Sequence, residues 1–210
     1  MEGTDLGRYF KSVHYADSAI GDFVNELDSE GLLENTVLVI YGDHDAKIAK
    51  KEYKYFYNYD FETGEQYDND DERYVDVDYY NYELNRKVPF IIWTKESKGN
   101  KYLNQKIDKV MGMYDAMPTL ANMLNFDYKY ALGHDIFNIE DNIVVFPNGN
   151  WVTDKIYYNG QNGEIYSING DTVTEEYIDI NSKYASDLID VSNDIITYDL
   201  IKEIREKGEK

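Results

Sequence analysis

The chain has 210 residues, 41 acidic against 21 basic, for a net charge of −20, and it has no cysteine. That balance repels nucleic-acid phosphates, and the missing thiols exclude both a disulfide framework and a thiolate metal site. The 22 tyrosines and 42% hydrophobic content mark a folded chain, and no apolar run reaches the roughly 18 residues that span a bilayer.

Leu6 to Glu30 places Val13, Ala16, Ile20, Phe23 or Val24, and Leu27 at the spacing of one helical face, with Gly31 as its stop. Leu32 to Thr36 leads into Val37 to Ile40, a continuous apolar run that predicts a strand buried on both faces, as in a parallel sheet covered by helices. A helix feeding such a strand is half of a crossover unit, so the chain is expected to begin inside a domain, with any targeting segment upstream.

That strand ends in Gly42-Asp43-His44. Working groups in such sheets lie beyond the carboxyl ends of the strands, and a carboxylate beside an imidazole suits a divalent transition metal. A polar turn closing a strand is the plainer reading of the same residues. Ala46 to Lys87 reads as a solvated, irregular insertion in which Asp68, Asp70, Asp71, Glu72, Asp76 and Asp78 alternate with tyrosines. Its stretch Asp60 to Asp71 lacks the Gly and Glu register of an EF-hand.

Val88 to Trp93 predicts a second buried strand with Pro89 near its start, and Asn104 to Val110 a short extended segment. Tyr114 to Leu124 predicts a helix with Pro118 in its first turn, Asp115 as cap, and Met117, Leu120, Ala121 and Leu124 as its buried face. Beyond Gly133-His134-Asp135, the segments Asn142 to Phe146, Trp151 to Tyr158 and Glu164 to Ile168 predict an antiparallel meander. Asn148-Gly149, Asn159-Gly160 and Asn162-Gly163 mark its turns. Helical spacing returns from Asn181 to Lys207, with Asn181 or Ser182 as candidate cap.

Several segments taken together carry a resemblance: Tyr9 to Gly21 (YFKSVHYADSAIG), Gly31 to Thr36, Tyr41-Gly42-Asp43-His44, Val88 to Ile92, and Asp115 to Leu120. In this order they resemble the later half of the lipoteichoic acid synthase and phosphoglycerol transferase family, within the wider alkaline phosphatase and sulfatase superfamily. The resemblance covers Leu6 to Phe137. It implies an α/β fold: residues 1–140 as the C-terminal part of a sulfatase-like catalytic domain with the insertion 46–87, then a β-meander over 141–180 and a C-terminal helix over 181–210.

The resemblance further implies one divalent cation, Mn2+ or Mg2+, with Asp43 and His44 as the ligands retained here. The nucleophilic threonine and a further acidic ligand are expected upstream, so no catalytic nucleophile is assigned in this chain. Thr36 opens a strand at the wrong end, and Thr119 reads as core. Asp45 stands where the family carries an uncharged residue; it reads as a second-shell partner of His44 or, in preference, as a loop acid. His134 in its turn reads as a second-shell group or as structural, and His14 as structural.

The implied activity is transfer of glycerophosphate from a phosphatidylglycerol-type lipid to a glycerophosphate polymer, at the extracellular face of a bacterial membrane. The implied partners are an N-terminal catalytic half and an anchor outside this chain, with self-association through uncovered apolar surface, and the isolated chain is expected to be inactive. A sulfatase or phosphodiesterase of the same superfamily, or a non-catalytic cell-surface module, are the competing readings.

Overall fold

A computed structural model describes residues 3–95 and 104–208. The chain forms two compact units, Met1–Lys106 and Ile107–Lys210. The architecture is mixed α/β, with helices, a small antiparallel sheet, a four-stranded antiparallel meander and C-terminal helices.

In the first unit, α1 spans Asp5–Ser29. The Thr4 hydroxyl accepts from the Gly7 N–H at 3.0 Å, and the Glu52 carboxylate takes the Asp5 N–H at 3.2 Å and the Leu6 N–H at 2.6 Å. Amides that have no partner inside the helix are thereby satisfied. Gly31 follows at φ 69°, the left-handed stop its sequence position predicts. The apolar stripe is present but stays largely exposed, with Val13, Ile20 and Phe23 all open to solvent.

Strand β1 is Val37–Tyr41 and β2 is Phe90–Thr94. They pair antiparallel, from Val37 opposite Thr94 to Tyr41 opposite Phe90. This corrects the expectation of a parallel strand buried on both faces: β1 is half-buried at its centre and exposed at both ends. An unbroken apolar run is compatible with either pairing, because its composition does not encode a neighbour's direction. Residues 46–87 are also more ordered than expected. They hold α2 (Lys50–Tyr57) and α3 (Tyr79–Leu84), and the Asp78 carboxylate caps α3 by accepting from the Asn81 N–H at 2.7 Å.

Asn104 to Val110, which crosses from the first unit into the second, forms no strand. Side chains take its place: the Val110 N–H donates to Asp154 at 2.7 Å, and the Val110 carbonyl accepts from Asn142 at 3.0 Å. Helix α4, Ala116–Leu124, follows a short 3-10 turn at Met113–Asp115. Its buried residues are Thr119 and Ala121, whereas Met117 and Leu124 are exposed, contrary to expectation. Asp115 does not cap α4; its carboxylate turns inward to other partners.

The meander is β3 (Val144–Val145), β4 (Trp151–Val152), β5 (Ile156–Tyr158) and β6 (Ile165–Ser167), each antiparallel to the next. Trp151 to Tyr158, expected as one segment, turns back on itself where the Thr153 N–H meets the Ile156 carbonyl at 2.9 Å. Trp151 is fully buried, stacks on Tyr158 and donates to the Ser182 hydroxyl at 3.2 Å. Ser182 therefore lies inside the last long helix and is not its cap. That helix, α5, runs Glu175–Tyr198 from the Thr174 hydroxyl cap, and Asp199 at φ 50° ends it before α6, Leu200–Gly208.

Candidate metal-ligand loop

Strand β1 delivers its chain into a loop that begins at Gly42. The Gly42 N–H donates to the Pro89 carbonyl at 3.1 Å, extending the β1–β2 ladder by one bond. A Cβ on Gly42 would lie 2.8 Å from the Cβ of Val88, so only glycine lets the two chains close here. The next residues, Asp43 and His44, leave the ribbon with exposed side chains.

The loop fixes the imidazole. Nδ1 of His44 lies 2.7 Å from the Asp45 backbone carbonyl. A carbonyl oxygen only accepts, so Nδ1 carries the hydrogen and the Nε2 lone pair is left outward. Asp43 Oδ1 stands 3.7 Å from that Nε2. Two metal–ligand bonds of about 2 Å can span such a gap, and metal-bound imidazoles commonly donate their other N–H to a carbonyl or carboxylate. The donor set therefore fits two positions of a divalent-cation site. Among the described residues no group of three or more His, Cys, Asp or Glu assembles for a metal.

The Asp45 backbone carbonyl holds the His44 ring, whereas the Asp45 side chain holds the loop. Its Oδ2 accepts from the Lys47 N–H at 3.2 Å, and its Oδ1 lies 3.6 Å from Arg86 Nε. Burial works against the Arg86 charge, but the carboxylates of Glu83 and Asp45 outweigh it and hold the guanidinium above its ordinary pKa. Tyr82 donates its hydroxyl to the Ile48 carbonyl at 3.0 Å, and Ile48 is buried. Arg86 and Tyr82 carried no sequence signal, because neither belongs to a motif and both sit in what reads as a solvated insertion.

His134 belongs to the second unit. Its Nδ1 meets Asn142 Oδ1 at 3.1 Å and its Nε2 meets the Tyr184 hydroxyl at 3.3 Å. Both ring nitrogens are thus engaged within that unit. Neither candidate threonine is a free nucleophile. Thr36 Oγ1 bonds the Leu32 carbonyl at 2.5 Å, while Thr119 is fully buried, donating to the Asp115 carbonyl at 2.7 Å and accepting from the Ile136 N–H at 3.1 Å.

Fold and loop together define an α/β protein that presents a carboxylate–imidazole pair from a glycine-closed strand tip. The sulfatase family model matches residues 3–126, and the chain belongs to that family. Lipoteichoic acid synthase 2 of Bacillus subtilis (strain 168) is 30% identical over 210 residues, 98% of this chain and 29% of that protein. Lipoteichoic acid synthase 1 of the same organism is 32% identical over 178 residues, 78% of this chain and 24% of that protein. Lipoteichoic acid synthase of Staphylococcus aureus (strain USA300) is 26% identical over 200 residues, 92% of this chain and 28% of that protein. The chain thus spans less than a third of the length of the relatives it matches, and the motif resemblance to lipoteichoic acid synthases is borne out.

Proposed function

We propose that this chain is the Asp43–His44 half of a metal-dependent phosphoglycerol transferase of the lipoteichoic acid synthase type, working at the extracellular face of a bacterial membrane. The observation that carries this reading is the loop geometry: His44 is locked by the Asp45 carbonyl with Nε2 outward, beside the Asp43 carboxylate. No helix among the described residues is long and apolar enough to cross a membrane, so the proposed anchor belongs to polypeptide outside them. The uncovered stripe on α1, at Val13, Ile20 and Phe23, suits burial against a further catalytic half.

Asp43 would offer one carboxylate oxygen and His44 its Nε2 to one divalent cation, Mn2+ or Mg2+. The cation, when bound, supplies positive charge against the phosphoryl oxygens and acidifies the attacking hydroxyl. His44 keeps its ring aligned by donating Nδ1–H to the Asp45 carbonyl. By the resemblance, the nucleophile and the remaining ligands belong to polypeptide outside this chain, and Thr36 and Thr119 are both held to backbone partners. The substrate is a phosphatidylglycerol-type lipid and the acceptor a glycerophosphate polymer.

Calorimetric titration of Mn2+ into the chain, compared with an Asp43→Ala, His44→Ala variant, tests the half-site. Saturable binding that the variant loses is expected; equal weak binding in both would remove these residues from a metal site. In the protein that carries this chain, the same variant is expected to abolish release of diacylglycerol from phosphatidylglycerol.

A further inference from the structure

We infer that the insertion after the metal pair is a brace for the ligand loop, and that Arg86 and Tyr82 are positioning residues for His44. This rests on the reading of Asp43 and His44 as cation ligands.

The Asp45 carbonyl orients the His44 ring, so the backbone from Asp45 to Ile48 decides where Nε2 points. That backbone does not hold itself. Lys47 sits at φ 53°, a left-handed conformation that costs a non-glycine residue about 1–2 kcal/mol, so neighbours must sustain it. The Asp45 carboxylate secures the Lys47 N–H, and Arg86 in turn stands against that carboxylate. Arg86 is itself aimed by Glu83, whose carboxylate it meets at 3.0 Å through Nη1.

A second tie acts at the far end of the loop. Tyr82 donates to the Ile48 carbonyl, and its ring packs edge-on against Tyr53 of α2 at 5.8 Å between centroids. Tyr82 and Glu83 lie on α3, which Asp78 caps, and Arg86 follows its C-cap Asn85. The short capped helix and the residue just past its C-cap therefore hold the loop at two points after the imidazole, Asp45 and Ile48. An exposed ion pair contributes little to global stability, so the Arg86–Asp45 pair is expected to show in the geometry of His44 far more than in the melting temperature. Partners that orient metal ligands commonly change affinity 10- to 100-fold when removed.

Nitrogen-15 NMR of the imidazoles tests this directly, since the chain has 3 histidines and a His44→Ala variant assigns the ring. At about pH 8.5, where free imidazole is neutral, the unaltered chain is expected to show His44 with its hydrogen on Nδ1. Arg86→Gln and Tyr82→Phe are each expected to shift His44 toward a mixture of tautomers and to weaken Mn2+ binding about 10-fold, with Arg86→Lys recovering part of both. Arg73→Gln, which breaks the ion pairs to Asp71 and Asp60 in the same insertion, is expected to change neither. In a His44→Ala background, Arg86→Gln is expected to cost no further affinity.

An unchanged His44 spectrum in folded Arg86→Gln and Tyr82→Phe variants would overturn the brace. Unchanged diacylglycerol release by the Asp43→Ala, His44→Ala variant of the protein that carries this chain would instead remove the metal reading, and the tautomer readout would still decide the brace.

Discussion

The buried carboxylate of Asp115 accepts the backbone N–H of His134 at 2.8 Å, tying the turn before α4 to a loop 19 residues further on. The same carboxylate takes the Gly112 N–H at 2.8 Å and the Asn142 side-chain amide at 2.8 Å. One side chain thus satisfies donors from separate segments of the second unit, which is why it has no exposed surface. Asp115→Ala would leave these donors buried and unpaired at about 1–3 kcal/mol each, and is expected to destabilise the second unit by at least 3 kcal/mol. Urea unfolding followed by Trp151 fluorescence in a Trp93→Phe background measures this. A wild-type midpoint would contradict it.

Tyr114 sets a pH limit for the same unit. Its hydroxyl accepts from the Val145 N–H at 2.8 Å and faces the Ile143 carbonyl at 3.3 Å. Burial pushes its phenol up to about 12, against the opposing pull of the Val145 N–H. A raised pKa means that the folded state holds its proton longer than the unfolded chain, whose phenol titrates near 10. The stability that follows is fully present below about pH 10 and is lost as pH rises through about 12, amounting to roughly 2 kcal/mol after allowance for partial exposure. Tyr114→Phe is expected to flatten the stability profile between pH 10 and pH 12. It is also expected to cost about 1 kcal/mol at neutral pH, because the Val145 N–H loses its acceptor.

The sequence displays what is local and periodic. Leu6 to Glu30 spells a helix with Gly31 as its stop, and the Asn-Gly pairs spell two of the three turns of the meander, those before β4 and before β6. It conceals what depends on distant partners. Asp115 stands at the start of a helix and reads as its cap, yet its acceptors are used by Gly112, His134 and Asn142. The run Val37 to Ile40 announces a strand without the direction of its neighbour. Residues 46–87 read as solvated because charge dominates their composition, while the few groups that order them, Asn58, Val77 and Tyr82, are too scattered to form a period. At the candidate site, Asp43 and His44 stood out as adjacent donors, whereas the hydrogen bond that locks His44 comes from a backbone carbonyl that no side-chain pattern reveals.

Gly42 is the joint between ribbon and ligand loop, so Gly42→Ala is expected to disturb both. The new Cβ would lie 2.8 Å from the Val88 Cβ and 3.0 Å from its Cγ1, which forces the two chains apart. Overpacking of this kind costs about 1–3 kcal/mol, and the displaced loop is expected to bind Mn2+ more weakly. If the clash is the cause, Val88→Gly combined with Gly42→Ala is expected to cost less than the two changes summed. Strict additivity in thermal melts would point to another cause.

Asn58 closes the insertion on itself. With 2% of its surface exposed, it donates through Nδ2 to the Lys54 and Val75 carbonyls, both at 2.9 Å, and accepts the Val75 N–H at 2.7 Å through Oδ1. Asn58→Ala is expected to cost about 2–3 kcal/mol, with no dependence on pH, because it strands backbone groups without charging any atom. Asn58→Asp is the sharper experiment. Its second oxygen would face two carbonyls and repel them when ionised, so the folded state would favour the protonated acid and raise its pKa above the unfolded value near 4. The penalty is then present at pH 7 and declines as pH falls through the raised pKa, where the protonated oxygen donates to one of the carbonyls. Urea midpoints at pH 4 and pH 7, each referenced to wild type, are expected to show Asn58→Asp recovering at the lower pH and Asn58→Ala unchanged. Equal deficits for Asn58→Asp at both values would show that the amide is not the clasp that these distances describe.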